Sequence, residues 1–210
     1  MIRFPFSCLK LSSTKSSKMP PRRLEFPLYA KAENCSRRTF IVTGANTGLG
    51  FEASKHLVAA GAAKVIMGVR NVSSGEQARA KIEADLGITG VAEVWPIDLG
   101  SYASVKAFAT KATIELGRVD ALIENAGVFD FKRIMLEGHV SGVTVNVIGT
   151  FLLAVYLLPK LIKTAQEVGA VPHISVVGSG HGFSNQKEWY LIKDDPLAKM
   201  DNGEVSTPQM

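Results

Sequence analysis

The stretch Thr43-Gly44-Ala45-Asn46-Thr47-Gly48-Leu49-Gly50 decides how this chain is read. It follows an apolar, strand-like run, Phe40-Ile41-Val42, and opens a helical pattern in which Phe51, Ala53, Leu57 and Val58 are apolar and Gly61 is a stop. A strand, a glycine turn and a helix in that order form an anion site, because the first helical turn offers unpaired N–H donors and the positive end of its dipole. Gly44 is expected to permit the tight turn off the strand. Gly48 lets backbone N–H groups reach phosphate without a Cβ in the way, and Gly50 lets helix and strand pack closely. A flexible turn is the plain alternative; the strand before and the helix after it favour a dinucleotide's pyrophosphate. No Lys-Ser or Lys-Thr follows Gly50, which excludes a GxxxxGK[ST] phosphate loop.

Outward from this turn, strands and helices alternate. Strands are expected near 40–43, 64–69, 91–96, 120–124 and 173–178, with helices over about 48–60, 74–86, 102–116 and 140–166. The alternation implies an α/β fold: a doubly wound parallel sheet with helices on both faces and the first strand central. After Gly182 the pattern fails. Residues 183–210 read as an irregular tail with one apolar cluster, Trp189-Tyr190-Leu191-Ile192, so five strands are expected.

At 210 residues, with 46% hydrophobic and 20% charged residues, the chain has the balance of one globular domain. The net charge of +5 is unevenly placed. Residues 1–38 hold nine Lys/Arg against two Glu, leaving 15 Lys/Arg against 17 Asp/Glu in residues 39–210. The domain over 39–182 thus lacks the positive face that nucleic-acid binding requires. Residues 1–38 read as a basic, disordered arm. Its first 23 residues have no acid and the composition of a mitochondrial presequence; the alternative is a start at Met19, before Pro20-Pro21. Cys8 and Cys35 both fall in this arm, so neither a disulfide framework nor a zinc site is indicated. Val143–Ile162, interrupted by Asn146, Pro159 and Lys160, reads as a buried helix rather than a membrane span. A soluble cytoplasmic protein is expected, with mitochondria as the alternative.

Two strand ends carry recognition chemistry. Arg70, closing Met67-Gly68-Val69-Arg70, stands where a dinucleotide fold reads the adenosine ribose; a guanidinium without a neighbouring acid suits the 2′-phosphate of NADP, and a solvated surface Arg is the alternative. Asp98, in Trp95-Pro96-Ile97-Asp98-Leu99, suits an adenine amino group or the N-cap of the next helix.

Taken together, Thr43-Gly44-xxx-Gly48-x-Gly50, Asp98-Leu99, Asn125-Ala126-Gly127, Asn146 and Val177-Gly178-Ser179 resemble the short-chain dehydrogenase/reductase family over about residues 38–182, most closely its NADP-preferring fungal and retinol-dehydrogenase-like members. The resemblance implies a Rossmann-like sheet with five of the family's seven strands. It implies NADP contacts from Gly44, Asn46, Gly48, Leu49, Gly50, Arg70, Asp98, Leu99, Asn125, Ala126 and Gly127. It also implies hydride exchange with a small carbonyl or alcohol substrate, Ser179 orienting the substrate oxygen and Asn146 serving a proton relay; no metal is implied. A homodimer through the long helix is open. The family's Tyr-xxx-Lys pair, in which an ammonium makes phenolate accessible from a hydroxyl of pKa ~10, is the departure. Tyrosines stand only at 29, 102, 156 and 190; Tyr102 with Lys106 and Tyr156 with Lys160 have the spacing but precede Ser179, where the family's pair follows it. The chain is therefore expected to stop short of the catalytic helix, and a non-catalytic dinucleotide-binding protein or a truncated gene product is the competing reading.

Overall fold

Thr39–Thr43 (β1) is buried at every position, as a strand covered on both faces must be, and its β-branched and aromatic residues suit that environment. In the computed structural model, which describes residues 31–130, 132–180 and 186–203, with only the backbone of 186–188, β1 is the middle of a five-stranded sheet. Its neighbours are Lys64–Val69 (β2) and Ala121–Glu124 (β4), with Ala92–Pro96 (β3) outside β2 and His173–Val176 (β7) outside β4. All four pairings are parallel.

Alternation along the strands sends successive side chains to opposite faces. Ile41, Ile66 and Leu122 meet Val105, Phe108, Ala109 and Ala112 of Tyr102–Glu115 (α4), with Leu153, Leu157 and Leu161 of the long helix Ser141–Val168 (α5). Phe40, Val42, Val65 and Met67 meet Phe51, Leu57 and Val58 of Gly48–Ala59 (α2), with Ala78 and Ile82 of Val72–Leu86 (α3). Each fully enclosed side chain contributes about 1.5–3 kcal/mol, so these two layers hold the strand ends that build the crevice. The fold class and central first strand agree with the sequence reading.

Several features depart from it. Ala32–Cys35 (α1) is a helical turn inside the expected arm, and Cys35 is 3% exposed in the α2/α3 layer. The targeting and start-site readings fall on residues 1–30, outside the described residues. α3 begins at Val72, two residues early, because the Asn71 side chain caps it by accepting the Ser74 N–H. A small hairpin, Met135–Leu136 (β5) with His139–Val140 (β6), precedes α5. The expected irregular tail contains Gln186–Ile192 (α6) and Pro196–Asn202 (α7). α7 has a capping signal, Asp195 accepting the Ala198 N–H with Pro196 first in the helix, and Asp201 ties it to the hairpin through His139 and the Val140 N–H.

α5 is not uniform: Thr144–Gly149 forms a π-helical turn before the regular helix resumes at Thr150–Val168. Hydroxyls serve the widened stretch, Thr150 donating to the Val145 carbonyl at 2.9 Å and Thr144 to the Leu136 carbonyl at 2.8 Å. By length and composition α5 could cross a membrane. It is the only such helix among the described residues, and it packs on the sheet along a buried stripe at Leu153, Leu157, Leu161 and Thr164, with an exposed stripe at Phe151, Val155 and Ile162.

Candidate nucleotide-binding site

The carboxyl ends of β1, β2, β3 and β4 converge on a crevice of about 320 Å³. Gly44, Asn46, Arg70, Asp98, Leu99, Asn125, Ala126 and Gly127, all singled out in the sequence, line it, together with Thr47, Gly68, Ile97, Val128 and Val145. This is the position at which open parallel sheets bind ligands, where connections leave the first strand in opposite directions.

Two glycines make the turn what it is. Gly44 has φ +65°, and an added Cβ would lie 2.9 Å from the Ala126 Cα, so the turn after β1 and the segment after β4 touch backbone to backbone. At Gly50 a Cβ would lie 2.4 Å from the Gly44 carbonyl oxygen, which no side chain survives. Gly50 is thus a packing residue behind the turn and does not line the crevice. Gly48 and Leu49 form the open first turn of α2, where Leu49 is 73% exposed and no acidic side chain competes for the N–H groups. A cradle filled by any Cβ, with free helix N–H donors beside it, fits a pyrophosphate.

Thr43 locks this cradle and was missed as a site residue, although it stands first in the motif. Its hydroxyl oxygen accepts the Asn125 N–H at 3.0 Å and the Ala126 N–H at 3.1 Å, while the Asn125 amide donates to the carbonyls of Thr43 and Gly44. A hydroxyl at the last position of a central strand, just before a glycine, was the available signal.

Arg70 is exposed at the rim, and Asp98 is the one carboxylate among the described lining residues. Asp98 does not cap α4. Its Oδ1 accepts the Gly100 N–H at 2.9 Å in a local turn, and Ser101 is the cap, accepting the Ser104 N–H. Gly149 of the π turn packs against this segment so tightly that a Cβ would lie 2.2 Å from the Leu99 carbonyl oxygen.

The two residues expected to serve chemistry are placed differently. Asn146, in the π turn, uses both ends of its amide on one residue: Nδ2 donates to the Val128 carbonyl at 2.9 Å and Oδ1 accepts the Val128 N–H at 2.8 Å. This clasp pins the loop after β4 to α5. Ser179 lies exposed beyond β7 and does not line the crevice. Neither Tyr-xxx-Lys spacing reaches it: Lys160 is buried, donating to the Thr113 carbonyl between α4 and α5, and Lys106 lies on the outer face of α4.

The short chain dehydrogenase model matches residues 38–190. A short chain dehydrogenase/reductase of Cryptosporiopsis sp. is 40% identical over 158 residues, covering 73% of this chain and 49% of the relative. A short chain dehydrogenase of Emericella nidulans is 40% identical over 170 residues, 77% of this chain and 54% of the relative. The chain spans about half the length of these curated relatives. Among solved structures, a short chain dehydrogenase of Escherichia coli CFT073 complexed with NADPH superimposes with TM-score 0.53 at 27% identity, over 63% of this chain and 57% of that one. The RhlG/NADP active-site complex of Pseudomonas aeruginosa gives 0.57 at 25%, over 69% and 55%. A family model covering residues 38–190 and the glycine turn seated at the crevice lead to one conclusion: this chain belongs to the short-chain dehydrogenase family.

Proposed function

We propose that this chain forms the NADP(H)-binding portion of a dehydrogenase/reductase that moves hydride between the nicotinamide and a carbonyl/alcohol pair. The carrying observation is the convergence of the Gly44 turn, the α2 N-cap Thr47 and Arg70 on one crevice, with no acidic residue in the first turn of α2. The backbone donors of Gly48 and Leu49 hold the pyrophosphate, Arg70 takes the 2′-phosphate, and the Asp98 Oδ2, without a hydrogen-bond partner among the described residues, accepts from the adenine amino group. Asn125, Ala126 and Gly127 form the wall on the β4 side. NADP-bound members among the structural neighbours support the cofactor assignment. When bound, the nucleotide supplies a hydride donor or acceptor; the residues of this chain supply its grip and orientation.

Calorimetric titration tests this reading: NADPH is expected to bind more tightly than NADH, and Arg70→Ala is expected to erase the difference. Equal binding of the two by the unaltered chain, or binding of neither, overturns it.

A second reading, nucleotide binding without turnover, is favoured by one observation. Lys160 is committed to the Thr113 carbonyl and Lys106 to the outer face of α4, so no described tyrosine has an ammonium beside it at the crevice. Loss of a positioned acid/base costs about 10²- to 10⁴-fold in rate. Following NADPH absorbance with a panel of ketones and aldehydes separates the readings: binding without turnover favours the second, and turnover removes it.

A further inference from the structure

Glu124 closes β4 with 1% exposure, one residue before Asn125, and does not line the crevice. Its Oε2 accepts the Thr43 hydroxyl hydrogen at 3.3 Å, and Oε1 is enclosed with no hydrogen-bond partner among the described residues. A carboxyl in such a place needs a reason, since enclosing a polar group with one partner costs free energy.

The reason lies in the arithmetic of the Thr43 hydroxyl, which is 0% exposed. A hydroxyl has one hydrogen and two acceptor sites. Both acceptor sites are taken by the N–H groups of Asn125 and Ala126, so the hydrogen must point to a third group. Glu124 is that acceptor.

We propose that Glu124 is a positioning residue for the nucleotide turn: by taking the Thr43 hydroxyl hydrogen it fixes that rotor, and the rotor holds the segment after β4 against the turn after β1. The Ala126 Cα then sits at the close approach to Gly44, and the Asn125 amide reaches the carbonyls of Thr43 and Gly44. Burial pushes the Glu124 carboxyl up to about 8 against the opposing effect of the Thr43 bond, and no charged side chain contributes to the shift. Burial thus favours the neutral acid, the form suited to an enclosed carboxyl with one partner. The consequence for cofactor affinity rests on the proposed function; the packing role does not.

Hydrogen exchange on the intact chain without nucleotide, at pH 7, compares the wild type with Glu124→Gln and Glu124→Val. The amide oxygen of glutamine replaces the acceptor, so Glu124→Gln is expected to keep the protection of the Asn125 and Ala126 amides within about threefold; Glu124→Val is expected to lower it about tenfold or more, as loss of one buried acceptor implies. Amides of the β2–β3 pairing should match in all three. Wild-type protection in Glu124→Val, or a loss in Glu124→Gln as large as in Glu124→Val, overturns the proposal. Should Glu124→Val fail to fold, Glu124→Met, closer in volume, takes its place, and a tenfold loss in Glu124→Gln still overturns the proposal. NADPH titration of the same proteins reads the consequence, with weaker binding expected for the apolar variant alone. An expected exchange pattern in a chain that binds no dinucleotide sinks the proposed function and leaves the positioning role standing.

Discussion

The sheet on either side of β4 is two kinds of structure. From β3 to β4 the strands are wrapped on both faces, and the turn they support is fixed by backbone contacts and the Thr43 hydroxyl. β7 pairs in register with β4, Ala121 with His173 through Glu124 with Val176, yet all four of its residues are exposed. A complete hydrogen-bond ladder therefore forms without a core over it. The crevice lies on the enclosed side, whereas Ser179, the expected substrate-orienting residue, follows the bare strand. The crevice and Ser179 thus belong to regions of unequal enclosure.

The largest effect should come from attacking the enclosed side at its tightest point. Gly50→Val places a branched side chain where even a Cβ would stand 2.4 Å from the Gly44 carbonyl oxygen. Relief requires α2 to separate from β1, so the variant is expected to yield no cooperative unfolding transition by circular dichroism. A wild-type melting curve would mean that the turn is not packed as described.

Next comes the pH response of the same region. Glu124 has an ordinary value of 4.5 and rises to about 8 in the fold. Between those values the unfolded chain has released this proton and the folded one retains it, so folding takes up a proton. The stabilisation is complete below about pH 4.5, declines as pH rises, and is gone above about pH 8, a span of at most about 5 kcal/mol at 1.36 kcal/mol per unit. Asp85 and Asp201, lowered chiefly by hydrogen bonds from Lys55 and His139, act in the opposite sense and only below the ordinary carboxylate range. Urea midpoints from pH 5 to 8 for wild type and Glu124→Gln isolate the effect: the wild type should lose stability with rising pH relative to the variant, and parallel profiles would refute it.

At the rim of the crevice the expected effect is smaller. Arg70→Ala should weaken NADPH binding about 10- to 100-fold, the worth of a charge-assisted contact, and leave NADH within about twofold. Equal losses for both nucleotides would place Arg70 on their shared atoms instead of the 2′-phosphate.

What the sequence disclosed follows the same division. Runs such as Phe40-Ile41-Val42 and Lys64–Val69 carry the signal of buried parallel strands, and the glycine spacing sets a backbone geometry that is local along the chain. The sheet and most of the crevice were legible for that reason. Contacts between distant residues were not: the Thr43–Ala126 bond joins positions 83 apart, and the Asn146–Val128 clasp spans 18 residues and depends on a π turn that helical periodicity does not announce. The hairpin escaped because each strand is two residues long, its reversal carried by Glu137 at φ +52° and Gly138 at φ +89°. α7 was legible in principle from Asp195-Pro196 and Gly203, and was obscured by the polar composition around it.

The finest test of the contrast uses one chemical change on both sides of β4. Val→Thr keeps shape and β-branching while exchanging a methyl for a hydroxyl, so its cost reports whether water or protein surrounds the site. Val65, 0% exposed in β2, should lose about 1–3 kcal/mol, because the new hydroxyl enters an apolar layer. Val176, 46% exposed in β7, should change by no more than about 0.5 kcal/mol, since its hydroxyl remains hydrated and strand propensity is preserved. Denaturant unfolding of the two variants measures the difference directly. Equal destabilisation would mean that β7 is covered in solution by something outside the described residues, a further segment or a second copy, and the division of the sheet at β4 would then belong to the isolated fold alone.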